Sequence, residues 1–229
     1  MKDFLVIGHR GAMGHETENT AASIQKALDL GVHMVEIDVF KIASGELVVF
    51  HDDTVDALTN GTGKIEQYSL AQLKKLEVIG GHQIPLLQEV LDLIDGAIAL
   101  NIELKGANTA VAVNHLVLSN CKNKSWTLDD FLISSFNWEA LRLMRSVNED
   151  IPIAILVEGD PVEALGIGNE LKAIAINPYF KELSTQNVQQ LKREGFKVYS
   201  WTVNTAKDIL AMKNIGADGV FTNFPERAL

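Results

Sequence analysis

Two carboxylates alternate with apolar residues in one β-rich run of this sequence. Glu36 and Asp38 lie in the run Val35-Glu36-Ile37-Asp38-Val39. Successive side chains of a strand point to opposite faces, so the two acidic residues share one face. Neighbouring carboxylates on a buried face are costly unless a positive group joins them. The pattern therefore favours a cation site, with a salt-bridged pair near a strand end as the alternative.

A third carboxylate comes from a later run of the same kind. Glu103 lies in Asn101-Ile102-Glu103-Leu104-Lys105, where residues 101, 103 and 105 share a face. Three carboxylates from two neighbouring strands form an oxygen-ligand set that suits Mg²⁺ or Ca²⁺. Zn²⁺ is disfavoured, because no additional His or Cys lies at the same spacing. The sequence therefore predicts a divalent cation held by Glu36, Asp38 and Glu103.

Two histidines end predicted strands close to these carboxylates in the expected fold. His9 closes the first β-rich run, and His51 closes the run at residues 47–51. A histidine with its ordinary pKa of about 6.5 can either donate or accept a proton near neutral pH. Arg10 and Lys105 supply positive charge, and arginine can offer two parallel hydrogen bonds to phosphate oxygens. These groups predict acid–base chemistry, with positive charge available for an anionic group such as phosphate.

Short β-rich runs alternate with helical patterns along nearly the whole chain. Strands are predicted at residues 4–8, 34–40, 97–104, 131–134, 153–157, 173–176, 198–203 and 219–222, and residues 47–51 extend or pair with the second. Helices are predicted at residues 20–30, 86–94, 108–120, 138–147, 162–171, 185–194 and 206–215. Alternating strands and helices are typical of parallel βαβ units.

About eight such units without a glycine-rich dinucleotide motif favour a closed (β/α)₈ barrel, a TIM barrel. Residues 1–229 are predicted to form one domain, with an insertion at about residues 52–84 after the second strand that contains a short helix near residues 70–76. Barrel enzymes place catalytic groups at the carboxyl ends of their strands. The acidic residues and both histidines are expected at that face.

Composition limits the partners and the cell compartment. The formal net charge is −10, and no basic run is present, which disfavours nucleic acid. No signal peptide and no apolar stretch of membrane-spanning length is evident, so a cytoplasmic protein without stable membrane insertion is expected. The single cysteine, Cys121, is interpreted as a free structural thiol. The sequence leaves the oligomeric state open.

Several short motifs, in order along the chain, resemble the glycerophosphodiester phosphodiesterase family. The match extends from residue 8 to residue 225. Each motif alone is weak, and it is the order and spacing of the motifs that make the match specific. It is carried by His9-Arg10-Gly11, Glu18-Asn19-Thr20, Glu36-Ile37-Asp38, His51-Asp52, Ile102-Glu103-Leu104-Lys105 and Trp201-Thr202-Val203-Asn204.

The resemblance implies roles for individual positions. Glu36, Asp38 and Glu103 match the metal ligands of the family, and His9 and His51 match its acid–base pair. The alternation of strand positions also points to the three carboxylates, and the strand-end positions point to the two histidines.

Further positions match substrate-binding groups of the family. Arg10 and Lys105 match groups close to the phosphate, and Phe136 and Trp201 match apolar residues that line the pocket. Asn223 departs from the family, which often has Asp there, and Thr17 departs where Pro is common. Neither departure is expected to involve the chemical groups, and both are expected to alter loop geometry.

The implied reaction is hydrolysis of a small glycerophosphodiester to glycerol 3-phosphate and an alcohol such as choline, ethanolamine or glycerol. As a working hypothesis His51 is the base and His9 the acid. The nucleophile is either water or first the substrate's own hydroxyl, through a cyclic phosphate. The alternatives are a lysophospholipase D and a non-catalytic barrel that binds phosphate metabolites.

Overall fold

Eight parallel strands close into a barrel in the computed structural model, which describes residues 4–106 and 108–229. Within the described residues there are nine strands: β1 (Leu5–Gly8), β2 (Met34–Lys41), β3 (Leu47–Val49), β4 (Ala99–Leu104), β5 (Phe131–Ser135), β6 (Ile153–Val157), β7 (Ala175–Pro178), β8 (Lys197–Ser200) and β9 (Gly219–Thr222). Around the ring the order is β1, β2, β4 and then β5 to β9, and β9 pairs with β1. The prediction of a (β/α)₈ barrel is confirmed.

Helices connect the strands of the ring. They are α1 (Ala21–Leu30), α2 (Leu70–Leu73), α3 (Leu87–Ile94), α4 (Thr109–Asn123), α5 (Trp138–Val147), α6 (Leu165–Glu170), α7 (Thr185–Arg193) and α8 (Ala206–Ile215). The helix predicted at residues 162–171 is divided, since a 3₁₀ turn at Pro161–Ala164 precedes α6. None of the helices in residues 4–106 and 108–229 combines the length and apolar character needed to span a bilayer.

Strand β2 shows how the sequence pattern becomes two layers. Val35 and Ile37 are fully buried in the apolar layer between the barrel and the helices. Met34, on the opposite face, belongs to the small cluster that fills the barrel interior together with Ile7 and Phe221. The alternation predicted from sequence therefore directs the side chains of Glu36 and Asp38 into the barrel, above this apolar cluster.

The pairing of β2 with β4 sets the register of the acidic residues. The Cα partners in this parallel pair are Glu36 with Asn101 and Asp38 with Glu103. Side chains on the same face of adjacent strands lie about 5 Å apart at directly opposed positions. The register therefore brings the third carboxylate beside the first two.

Strand β3 lies outside the ring and begins the inserted segment. It pairs antiparallel with the end of β2, which confirms that residues 47–51 partner the second strand. The segment has a core of its own, built around Phe40, Phe50, Ile65 and Ile84. The helix predicted near residues 70–76 is the shorter α2. Because the Phe50 N–H donates to the Asp38 carbonyl at 3.0 Å, the residue after Phe50 reaches the carboxyl end of the barrel.

The packing of α5 against the barrel generates a matched stability test. Leu141 is 0% exposed and faces the barrel, whereas Leu143 on the same helix is 38% exposed. We expect Leu141→Ala to lower the free energy of unfolding by about 2–5 kcal/mol, since it leaves a cavity in a close-packed layer. Leu143→Ala should change it by less than about 1 kcal/mol. Urea unfolding followed by circular dichroism measures both, and equal losses would contradict the assigned faces.

Candidate active site

The turn after β1 brings its backbone against β2. Arg10 has φ 51° and Gly11 has φ 82°, so two successive residues adopt the left-handed conformation. A Cβ at position 11 would lie 2.5 Å from the backbone of Ser23, and only glycine fits there. In this turn the Arg10 N–H donates to Glu36 Oε2 at 2.8 Å. The His-Arg-Gly sequence thus fixes one carboxylate by a backbone contact.

The structure brings the three predicted metal ligands together. Glu36, Asp38 and Glu103 each offer one carboxylate oxygen, and these oxygens lie within 4.8 Å of one another. Glu36 and Asp38 are almost fully buried, and the Glu103 side chain is only 12% exposed. A buried cluster of this kind is unfavourable unless positive charge compensates it.

Burial and mutual repulsion shift the protonation of this cluster. The pKa of Glu36 is raised well above its ordinary value, first by burial and then by the charges of Asp38 and Glu103. The pKa of Glu103 is raised to about 7 by burial and by the charge of Asp38. The protein's own positive groups therefore do not fully compensate the three carboxylates.

Two basic side chains and one amide contact the cluster. Lys105 Nζ lies 3.2 Å from Glu103 Oε1, and Arg10 Nε lies 3.4 Å from Asp38 Oδ2. Asn19 donates its side-chain N–H to Asp38 Oδ2 at 2.9 Å, which fixes the orientation of that carboxylate. These contacts orient Asp38 and Glu103, whose oxygens lie within 4.8 Å of one another and of an oxygen of Glu36.

These residues fit a divalent cation. The donors are all carboxylate oxygens, which Mg²⁺ and Ca²⁺ prefer. The raised pKa of Glu36 and Glu103 is the electrostatic deficit that a bound cation removes. The Asn19 contact resembles the outer hydrogen bonds that orient metal-binding carboxylates.

The two histidines have different partners. His9 Nδ1 lies 2.7 Å from Asn223 Oδ1, and His51 Nδ1 lies 2.7 Å from Asp52 Oδ1. In each case Nδ1–H donating to the oxygen leaves Nε2 free. The partner of His9 is a neutral amide, whereas the partner of His51 is a carboxylate.

The His9 pocket favours the neutral ring. Burial, followed by the charge of Arg10, lowers the pKa of His9 to about 4. The hydrogen bond with Asn223 and the charge of Asp38 act in the opposite direction without offsetting this. At neutral pH His9 therefore carries an unprotonated Nε2 that can accept a proton.

A cavity of about 130 Å³ collects the predicted residues at the carboxyl end of the barrel. Of the nine residues predicted from sequence, Asp38 alone is not part of its wall. The lining comprises His9, Arg10, Glu36, His51, Glu103, Lys105, Ser134, Phe136, Leu156, Trp201, Thr202 and Phe221. The roles assigned to these residues stay predictions, but their convergence on one cavity is a finding.

Two aromatic rings, Phe136 and Trp201, line this cavity, and Tyr179 packs against the second. The ring centroids of Phe136 and Trp201 lie 5.2 Å apart, and those of Tyr179 and Trp201 lie 5.3 Å apart. The Trp201 indole N–H donates to the Asn177 carbonyl at 2.8 Å. Phe136 and Trp201 were predicted to line the pocket, whereas Tyr179 was not singled out.

Sequence reasoning missed several supporting contacts. Glu18 Oε1 lies 2.7 Å from Arg10 Nη1, and Asn19 contacts Asp38. The expectation that Asn223 only alters loop geometry is wrong, since it contacts His9. The position of Asn223 directly after β9 was a signal that could have identified it.

The remaining histidines and tryptophans lie outside the cavity wall. His15 pairs with Glu226, and His33 Nδ1 accepts the backbone N–H of Val6. Trp126 is buried against Phe131. Each of these three side chains therefore has a pairing or packing role outside the cavity wall.

Comparisons with known proteins agree with this geometry. Residues 9–227 match the model of the glycerophosphoryl diester phosphodiesterase family. A glycerophosphodiester phosphodiesterase from Caldanaerobacter subterraneus subsp. tengcongensis is 33% identical, covering 97% of this chain and 95% of that protein. A human lysophospholipase D is 23% identical, covering 96% of this chain and 83% of that protein.

A solved structure gives the same fold at similar identity. An Oleispira antarctica phosphodiesterase, in complex with the product sn-glycerol-3-phosphate, superposes with a TM-score of 0.90. It is 31% identical and covers 98% of this chain and 94% of its own. The family match extends over nearly the whole barrel, including every residue of the predicted site. This chain belongs to the glycerophosphoryl diester phosphodiesterase family.

Proposed function

We propose that this protein hydrolyses glycerophosphodiesters to glycerol 3-phosphate and an alcohol, with a divalent cation and two histidines. The observation that carries the proposal is the convergence of three carboxylates, two histidines and two basic groups on one cavity. Family membership and the product complex of the Oleispira antarctica relative support the same substrate class.

The substrate phosphate lies between the basic side chains and the acidic cluster. Glu36, Asp38 and Glu103 would hold the cation, which supplies stabilisation of negative charge on phosphate oxygens. Arg10 and Lys105 border the same cavity and add positive charge toward the phosphate. Together these groups offset the unfavourable field of a chain with net charge −10.

The partners of the two histidines support a division of labour. His9, neutral because its pKa is lowered to about 4, accepts the proton of the nucleophile at Nε2. His51, with Asp52 balancing a positive ring, donates a proton to the leaving oxygen. This order is the reverse of the working hypothesis drawn from sequence. Environments that separate two titrating groups are the usual basis for such assignments.

The alternatives make different demands on the cavity. A lysophospholipase D must accommodate an acyl chain, and the distant human relative carries that name. A non-catalytic phosphate binder requires no acid–base pair, whereas this cavity contains His9 and His51. The presence of both histidines therefore favours hydrolysis over binding without turnover.

A substrate panel tests the proposed function. We expect release of glycerol 3-phosphate from glycerophosphocholine, glycerophosphoethanolamine and glycerophosphoglycerol, with much slower turnover of lysophosphatidylcholine. Coupled detection of glycerol 3-phosphate and choline measures both reactions. Faster turnover of the lysolipid would support the lysophospholipase alternative, and binding without turnover would support the non-catalytic one.

Replacing either histidine tests the acid–base assignment. We expect His9→Ala and His51→Ala to lower kcat by about 10²–10⁴-fold, the scale of a lost general acid or base. His115→Ala, on the exposed face of α4, is the matched control and should retain wild-type kcat. Near-normal turnover by either site variant would remove that histidine from the mechanism.

A substrate with a good leaving group distinguishes the two roles. An activated aryl diester leaves without help from an acid, so it should restore much of the kcat lost in His51→Ala. The same substrate should not rescue His9→Ala, because the base is still needed. Rescue of His9→Ala alone would reinstate the order inferred from sequence.

Metal removal tests the acidic cluster. A chelator should abolish activity, and Mg²⁺ or Ca²⁺ should restore it. Because the pKa of Glu103 is raised to about 7 without a cation, binding must displace its proton below that pH. For each proton that binding displaces, the affinity for the cation should therefore weaken about tenfold per pH unit below 7.

Calorimetry in buffers of different ionisation enthalpy counts the displaced protons. Proton release should be clear at pH 6 and should decrease as the pH rises above 7. Glu103→Gln should bind the cation more weakly and release fewer protons at pH 6. Full activity in excess chelator, or metal binding without proton release, would contradict the proposed site.

A further inference from the structure

The cavity has two chemically different sides. The carboxylates and His9 come from β1, β2 and β4, whereas the strands directly across the ring are β6, β7 and β8. Phe136, Tyr179 and Trp201, here called the aromatic wall, follow β5, β7 and β8. If the glycerol end of a diester faces the carboxylates, the leaving alcohol faces the aromatic wall.

The aromatic wall is held in place rather than loosely exposed. Trp201 is anchored by its indole N–H to the Asn177 carbonyl, and the Tyr179 N–H donates to the Val157 carbonyl at 3.1 Å. Phe136 meets Trp201 edge to face, yet its side chain is 43% exposed. A large apolar ring fixed at the edge of a polar cavity is suited to contact a ligand.

A carboxylate follows the strand next to these rings. Leu156 on β6 lines the cavity, and Glu158 comes directly after this strand, in a bend at the carboxyl end of the barrel. Because Val157 pairs with Pro178 in the parallel β6–β7 pair, Glu158 and Tyr179 follow neighbouring strands at the same end of the ring. Glu158 is exposed, and its side chain has no hydrogen-bond or ion-pair partner among residues 4–106 and 108–229.

Aromatic faces with an adjacent carboxylate match one class of alcohol. A quaternary ammonium group has apolar methyl groups, a diffuse positive charge and no N–H to donate, so ring faces attract it and a carboxylate adds long-range charge. A neutral polyol such as glycerol needs hydrogen-bonding groups, which Phe136 and Trp201 ring faces do not provide. We propose that the aromatic wall and Glu158 bind the leaving alcohol and select a choline-type head group. This inference rests on the proposed function and specifies its substrate class.

Relative specificity tests the inference. The ratio of kcat/KM for glycerophosphocholine to that for glycerophosphoglycerol should be about tenfold or more in the wild-type protein. Glu158→Gln should lower this ratio by about threefold to fivefold, the scale of a partly exposed charge contact. Glu149→Gln removes an exposed carboxylate that precedes β6, at the opposite end of the barrel, and should leave the ratio unchanged.

Two substitutions at Tyr179 separate the ring from its hydroxyl. Tyr179→Leu should lower the ratio about fivefold, because the ring face is lost. Tyr179→Phe keeps the ring and should retain the wild-type ratio. If Tyr179→Phe lowered the ratio as much as Tyr179→Leu does, recognition would depend on the hydroxyl. That result would overturn the role of the ring face.

Direct binding separates this inference from the proposed function. Choline chloride, titrated into the metal-loaded protein by calorimetry, should bind more tightly than glycerol, and Tyr179→Leu should weaken its binding. If no diester is hydrolysed but choline binds in this way, the proposed function fails and the head-group site stands. Equal kcat/KM for the two diesters, together with no choline binding, would overturn the head-group site while leaving hydrolysis intact.

Discussion

The electrostatic cost of three carboxylates in one buried cluster determines most of this site. Glu36, Asp38 and Glu103 lie within 4.8 Å because the β2–β4 register opposes Asp38 and Glu103 directly. Lys105 and Arg10 offset only part of the repulsion, as the raised pKa of Glu36 indicates. The cluster is therefore poised for a cation, and the surrounding contacts are best understood as ways of holding its oxygens in place.

Apolar layers elsewhere in the barrel supply stability that offsets the electrostatic cost of the carboxylate cluster. The outer face of β2 is buried against the helices, and the barrel interior below the cavity is closed by a separate apolar cluster. The left-handed Arg10 costs on the order of 1–3 kcal/mol, but its N–H gains a bond to Glu36. Stability is thus supplied by layers that take no part in the chemistry, and polar residues can concentrate at the carboxyl end.

Local alternation explains what could be predicted from sequence. The alternation of side chains along β2 and β4 indicated that the three carboxylates point into the barrel. The strand-end positions of His9 and His51 indicated which end of the barrel contains the predicted site. Contacts between distant segments could not be predicted in this way. Asn223 lies 214 positions from His9 in the chain, and Asn19 reaches Asp38 through a loop conformation that strand alternation does not describe. Such partners depend on ring closure and loop geometry, which short sequence patterns do not encode.

The same limitation explains why the order that we propose for the histidines is the reverse of the working hypothesis drawn from sequence. From sequence the two rings are equivalent strand-end histidines, so nothing local separates acid from base. The fold gives His9 an amide partner next to Arg10, and it gives His51 a carboxylate partner at a more exposed edge. Burial and then the charge of Arg10 lower the pKa of His9 to about 4, and the hydrogen bond with the neutral amide of Asn223 does not offset them. Ring closure therefore makes two chemically identical side chains different, which is the condition for one to accept a proton while the other donates it.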